Sequence, residues 1–98
     1  MRILIADKEQ SRLDLYRRIL EKEKYTVVTA KNKMEVLNYP KNDIDAIVID
    51  LGMPGALETL IKIHDTPKVA ISGFSEHEED ARAFGADEVI TRSFKHIN

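Results

Sequence analysis

The feature that most constrains the fold of this chain is a strict alternation of short apolar runs with helical patterns. The apolar runs are rich in β-branched residues and continuous, which is typical of strands buried on both faces of a parallel sheet. We predict five strands, in the segments 2–6, 25–30, 45–49, 68–72 and 88–91.

Amphipathic segments lie between these runs. In the segment 11–23, Leu13, Tyr16 and Leu20 recur at helical spacing, with charged residues on the other face. We predict four helices, in the segments 11–23, 31–39, 56–64 and 76–84.

Local signals mark the ends of two of these helices. Ser11 followed by Asp14 resembles a capping box, and Ser75 followed by Glu78 forms the usual Ser-x-x-Glu version. Gly85 is a natural residue to follow the end of the fourth helix. The order β-α-β-α-β-α-β-α-β then predicts a three-layer, doubly wound α/β fold with a parallel sheet and helices on both faces. We expect the last helix of such a fold to be missing or vestigial, because only RSFKHIN follows the fifth strand.

Length and charge narrow the classes of function. The 98 residues predict one domain, 1–98, and a net charge of −2 argues against a nucleic-acid surface. The chain has no cysteine, so thiolate metal sites and thiol nucleophiles are excluded. No apolar run is long enough to cross a bilayer, and the first residues lack signal-peptide anatomy, so we expect a cytoplasmic location without a membrane partner.

Polar residues follow or end four of the predicted strands. Asp7 follows the first strand, Asp50 the third and Arg92 the fifth, while Ser72 ends the fourth. In an open parallel sheet, ligands bind beyond the carboxyl ends of the strands, so these four groups are expected to converge. Two carboxylates with a hydroxyl and a cation make a plausible acyl-phosphate site, in which one aspartate attacks phosphorus.

Four segments resemble, in order and spacing, the receiver domains of two-component response regulators. They are ILIADKEQSR (3–12), AIVIDLGMPG (46–55), VAISGFSE (69–76) and AFGADEVITRSF (83–94). The resemblance implies a flavodoxin-like sheet of strand order 2-1-3-4-5.

The resemblance also implies roles for the residues at the strand ends. Asp50 matches the phosphoacceptor, and Asp7 matches the first of the paired acidic residues. Ser72 matches the hydroxyl that contacts the phosphoryl group, and Arg92 stands where the family has a lysine.

Several residues depart from the pattern of that family. Lys8 stands where the family has its second acidic residue, a ligand of Mg²⁺, and a cation there repels the metal. Glu9 could substitute for the missing acidic ligand, although it is displaced by one residue. Lys8 is predicted to act as a metal-replacing cation near Asp50. The alternative is that Lys8 is a solvated loop lysine. Val89 falls at the position of the aromatic switch residue, and Ser93 replaces a proline, so we expect a trans peptide bond there.

We therefore predict a receiver-like signalling domain with a degenerate aspartate site that acts through protein–protein interaction and is not an enzyme. The expected partner is a histidine kinase or a downstream effector, with no cofactor beyond weak Mg²⁺ binding. A face left open by the missing helix predicts a homodimer, or docking on another protein, with Phe94 and Ile97 contributing to the interface. One alternative is a working phosphoacceptor, in which Asp7 and Glu9 hold Mg²⁺ and Asp50 is phosphorylated. A second is a small α/β enzyme or nucleotide-binding module, although no Gly-rich phosphate loop follows any strand.

Overall fold

Five parallel strands form one sheet in the order β2-β1-β3-β4-β5, which confirms the predicted fold. The computed structural model describes residues 1–73 and 77–91. The strands are β1 (Arg2–Ala6), β2 (Thr26–Ala30), β3 (Ala46–Asp50), β4 (Lys68–Ser72) and β5 (Glu88–Thr91). Each matches its predicted segment to within one residue at either end.

In the described part of the chain, four helices cover the two faces of this sheet: α1 (Gln10–Lys22), α2 (Lys33–Asn38), α3 (Ala56–Lys62) and α4 (Glu78–Ala83). The helix α1 begins one residue before Ser11, and its N-cap is Glu9, which makes no side-chain capping bond. The predicted capping box of Ser11 and Asp14 is therefore wrong, because Ser11 already lies inside the helix. Ser75 lies outside the described residues.

The sheet separates two apolar clusters. On one face, Leu13 of α1 packs with Ile3, Ile5 and Val27, and Tyr16 and Leu20 lie against them. On the other face, a larger cluster joins the sheet to α2, α3 and α4. The chain is thus a three-layer α/β structure, as the continuous apolar strands predict.

Helices α1 and α4 end in the same type of turn. Lys24 follows α1 in the left-handed region with φ +72°, and Gly85 follows α4 with φ +107°. In both turns the last N–H reaches back to a carbonyl in the helix, from Tyr25 to Leu20 and from Ala86 to Ala81. This pattern is a Schellman motif, so the predicted role of Gly85 is confirmed.

Some large apolar side chains remain exposed. Ile19 on α1 is 53% exposed, and Ile90 on β5 is 54% exposed. Ile90 lies on the α1 side of the sheet, because its neighbour Val89 packs against the cluster on the other side. The residues predicted for an interface, Phe94 and Ile97, lie outside the described residues, as does the segment in which the final helix was expected to be missing or vestigial. Within residues 1–73 and 77–91, no helix has the length and apolar character needed to cross a membrane.

Candidate functional site

Two aspartates lie at the carboxyl edge of neighbouring strands. Asp7 directly follows β1 and Asp50 is the last residue of β3, and Ala6 pairs with Ile49 in the register of these strands. Both carboxylates are buried, with exposed fractions of 0% and 1%. The edge therefore contains two buried acidic groups side by side.

Each aspartate accepts a hydrogen bond from the backbone N–H two residues further on. The N–H of Glu9 donates to Oδ1 of Asp7 at 3.0 Å, and the N–H of Gly52 donates to Oδ1 of Asp50 at 2.8 Å. These Asx-type turns redirect the chain after each strand and fix the carboxylates against their own loops. Gly52 also allows close approach, because a Cβ there would lie 3.0 Å from Oδ1 of Asp50.

Among the described residues, the cation at this edge is Arg12, the third residue of α1. Its Nε donates to Oδ2 of Asp7 at 2.7 Å, and its Nη2 donates to Oδ1 of Asp7 at 3.0 Å. Its Nε also lies 3.9 Å from Oδ2 of Asp50. One guanidinium thus binds Asp7 through two parallel hydrogen bonds and places a positive charge near Asp50.

This arrangement sets the protonation of Asp7. Burial by itself raises the pKa of the Asp7 carboxyl, but the hydrogen bonds from Arg12 and from the N–H of Glu9 outweigh it, so the net pKa is lowered. The hydrogen bond to Asp7 in turn raises the pKa of Arg12 above its ordinary value. The pair is therefore a carboxylate and a guanidinium, both charged at neutral pH.

Lys8 does not provide the cation that the sequence led us to expect from it. Its side chain is exposed, and no acidic group in the described part of the chain lies within ion-pair distance of it. Glu9 is exposed as well and reaches the site only through its backbone N–H. The contact with the acidic groups that was expected of Lys8 is instead made by Arg12, which lies in the first turn of α1 at this edge of the sheet.

The remaining residues expected in the site lie on β4 and β5 or beyond them. Ser72 is fully buried at the end of β4, one residue beyond the register partner of Asp50. Val89 is half-buried and packs against the core cluster under α4. Arg92 and Ser93 lie outside the described residues.

The carboxyl edge does not fit a divalent metal in this arrangement. Mg²⁺ needs several oxygen ligands in near-octahedral geometry, whereas both oxygens of Asp7 already accept hydrogen bonds and a guanidinium lies beside them. In residues 1–73 and 77–91, no group of three His, Asp or Glu side chains is placed to hold a metal ion. Within the same residues, positive charge reaches this edge from the guanidinium of Arg12.

One feature of the sequence could have pointed to Arg12 as a site residue, although the helical periodicity did not. Basic residues are unfavourable in the first turn of a helix, where the macrodipole is positive. The first turn of α1 contains no acidic residue but does contain Arg12. Because helical side chains lean toward the N-terminus, a cation there points at the edge that carries Asp7.

Comparison with known proteins identifies the family of this chain. The model of the response regulator receiver domain matches residues 3–97. The chain belongs to the response regulator receiver family. It is a receiver domain of a two-component response regulator, a signalling module of a kind that interacts with histidine kinases and effectors.

Curated relatives of this receiver domain are longer proteins. The chain is 33% identical over 101 residues to transcriptional regulatory protein YvrH of Bacillus subtilis, which covers 94% of the chain and 43% of YvrH. It is 32% identical over 102 residues to response regulator RR06 of Streptococcus pneumoniae, which covers 96% of the chain and 47% of RR06. The chain therefore spans less than half the length of these two relatives.

Solved structures of receiver proteins share the fold. The response regulator TrrA from Thermotoga maritima, in complex with Mg²⁺–BeF, matches with a TM-score of 0.85 and 30% identity over 96% of this chain and 88% of TrrA. Chemotaxis response regulator CheY4 of Vibrio cholerae matches with a TM-score of 0.84 over 93% of this chain and 85% of CheY4, and its 22% identity supports the fold alone.

Proposed function

We propose that this receiver domain is a non-enzymatic interaction module whose aspartate site is degenerate, so that Asp50 does not work as a Mg²⁺-dependent phosphoacceptor. One observation carries this proposal: both oxygens of Asp7 are engaged by Arg12 and by the N–H of Glu9. Asp7 matches the first of the family's paired acidic residues, and Lys8 stands at the position of the second.

The interactions of Asp7 and Arg12 make Mg²⁺ binding at this site unfavourable. To bind Mg²⁺, Asp7 would have to lose a bidentate, charge-assisted pair in a buried setting, and charge-assisted hydrogen bonds are roughly twice as strong as neutral ones. The metal would also approach the guanidinium of Arg12, which its two hydrogen bonds to Asp7 hold in place. Such repulsion is large in a partly buried site, where charges are only weakly screened.

The module would respond to the binding of a protein partner rather than to a phosphoryl group. A histidine kinase or a downstream effector remains the proposed partner, in a cytoplasmic location and without nucleic acid or membrane. The roles that the family resemblance gives to Ser72, Arg92 and Val89 are also proposals. Val89 has no ring, so an aromatic rotation cannot transmit a signal through this position.

A working phosphoacceptor is the second candidate, and two observations favour it. Asp50 is buried at the end of β3, with Ser72 at the end of the adjacent strand β4. The structure of TrrA, which is 30% identical, was solved with Mg²⁺–BeF bound. This candidate requires Arg12 to leave Asp7 when the metal arrives.

Beryllofluoride with Mg²⁺ separates the two candidates. We expect the amide NMR shifts of Asp50, Leu51 and Gly52 to stay unchanged when the reagent is added, and the intact mass to stay unchanged with acetyl phosphate. TrrA under the same conditions is the positive control. Mg²⁺-dependent shifts around Asp50 that vanish in Asp50→Asn would contradict the proposal that the aspartate site is degenerate.

We also propose that the domain self-associates through the α1 side of the sheet. Support comes from the exposed apolar side chain of Ile90, together with exposed Ile19 on α1. Sedimentation velocity at high micromolar concentration should show a dimer that Ile90→Asp weakens. The matched control is Ile61→Asp, since Ile61 is 52% exposed on α3, which covers the opposite face. A strictly monomeric protein would contradict this proposal.

A further inference from the structure

Arg12 has an unusual relation to the two buried carboxylates. Two of its nitrogens bind Asp7, at 2.7 and 3.0 Å, and Nε lies 3.9 Å from Oδ2 of Asp50. A surface ion pair would hold two flexible, solvated side chains, but here the acceptors are 0% and 1% exposed. The side chain of Arg12 is 30% exposed.

The position of Arg12 in the helix is unfavourable unless the site compensates for it. It lies in the first turn of α1, where the positive end of the macrodipole repels a cation. Two buried carboxylates side by side would in turn repel each other without a nearby positive charge. The same contact therefore resolves both unfavourable features.

Arg12 lies within ion-pair distance of both aspartates, with Nε 2.7 Å from Oδ2 of Asp7 and 3.9 Å from Oδ2 of Asp50. Lys8, which is adjacent to Asp7 in sequence, is exposed. Arg12 thus brings one positive charge, covalently attached to the protein, to the edge that carries the two aspartates.

We propose that Arg12 is a built-in counter-cation that stands in place of a divalent metal and keeps one out of the carboxyl edge. This inference rests on the proposed function, since it gives the physical reason for a metal-independent site. It implies that the site would bind a divalent metal if Arg12 were removed and an acidic residue replaced Lys8.

The test uses variants of the whole chain in a Lys8→Asp background. We expect Lys8→Asp alone to bind Mn²⁺ weakly, because Arg12 still occupies Asp7. Adding Arg12→Gln should raise the Mn²⁺ affinity by about tenfold or more, since a unit charge within a few ångströms of the metal is removed. Adding Arg18→Gln instead should leave the affinity unchanged, because Arg18 is an exposed residue of the same helix.

Electron paramagnetic resonance of free Mn²⁺ gives the affinity, and selective broadening of the Asp7, Asp50 and Gly52 amides locates the ion. Equal affinities for Lys8→Asp and Lys8→Asp/Arg12→Gln would overturn the proposal. If the double variant is unfolded without metal, circular dichroism during the Mn²⁺ titration decides: folding on binding supports the proposal, and no change overturns it. The proposed function fails on a different result, a Mg²⁺–BeF response of the unmodified protein.

Discussion

Arg12 donates from Nε to Oδ2 of Asp7 and from Nη2 to Oδ1, so that one guanidinium spans both oxygens of a fully buried carboxylate. This contact ties the first turn of α1 to the end of β1. It gives Asp7 a charged partner that is already in place in the folded protein, and it brings the same positive charge near Asp50. Several measurable consequences depend on it.

Arg12→Gln should destabilise the fold by about 2–3 kcal/mol, because Asp7 would remain buried without its charged partner. Urea unfolding at neutral pH measures the loss. Arg18→Gln is the matched control, and an exposed substitution of this kind should stay within about 0.5 kcal/mol of the parent. A loss no larger than that of the control would mean that the pair contributes nothing to stability.

The same contact predicts how stability depends on acid. Burial raises the pKa of Asp7 but the hydrogen bonds of Arg12 and Glu9 outweigh it, so the folded-state pKa lies below the ordinary value of 3.8. A lowered pKa stabilises the fold above that ordinary value, and the contribution is lost as the pH falls through the lower, folded-state value. Urea unfolding between pH 2 and 6, as a rough range around the aspartate pKa, should therefore show an acid loss that is shallower in Asp7→Asn. If the free energy of unfolding fell equally with acid in the parent protein and in Asp7→Asn, the lowered pKa of Asp7 would be contradicted.

Lys24→Gly should stabilise the domain by about 0.5–1 kcal/mol. Lys24 has φ +72° in the turn that ends α1, and a left-handed conformation costs an L-residue about 1–2 kcal/mol, partly offset by the greater freedom of glycine in the unfolded chain. Thermal melts followed by circular dichroism measure the change. Lys22→Gly, inside the helix, should shift the melting temperature in the opposite direction.

Gly85→Ala should destabilise the domain by about 1–3 kcal/mol. The residue has φ +107°, and an added Cβ would lie 2.9 Å from Nζ of Lys68. That ammonium donates to the carbonyls of Leu60 and Ile63 at the end of α3, so displacing it would also expose the end of that helix. In a Lys68→Ala background the contact disappears and only the backbone strain remains. The penalty for Gly85→Ala, measured by urea unfolding, should then be smaller; an equal penalty would assign all of it to the backbone.

Some parts of this structure were predictable because their signals are local. The five strands follow from continuous β-branched runs, and Gly85 from the left-handed turn after α4. The predicted capping box at Ser11 is wrong because the helix begins at Gln10 with Glu9 as its N-cap, which places Ser11 inside the first turn. Such motifs are short, and a shift of one residue removes their geometry.

The sequence by itself determined the order of the elements and the edge of the sheet at which Asp7 and Asp50 lie. Those follow from the alternation of strands and helices and from the rule that parallel strands end on one side. Only the tertiary structure decided which cation meets the carboxylates. Lys8 is adjacent to Asp7 in the chain but exposed, whereas Arg12 is five residues away and in contact. The physical reason is that the packing of α1 on the sheet directs the side chains of its first turn, and sequence separation does not encode that direction.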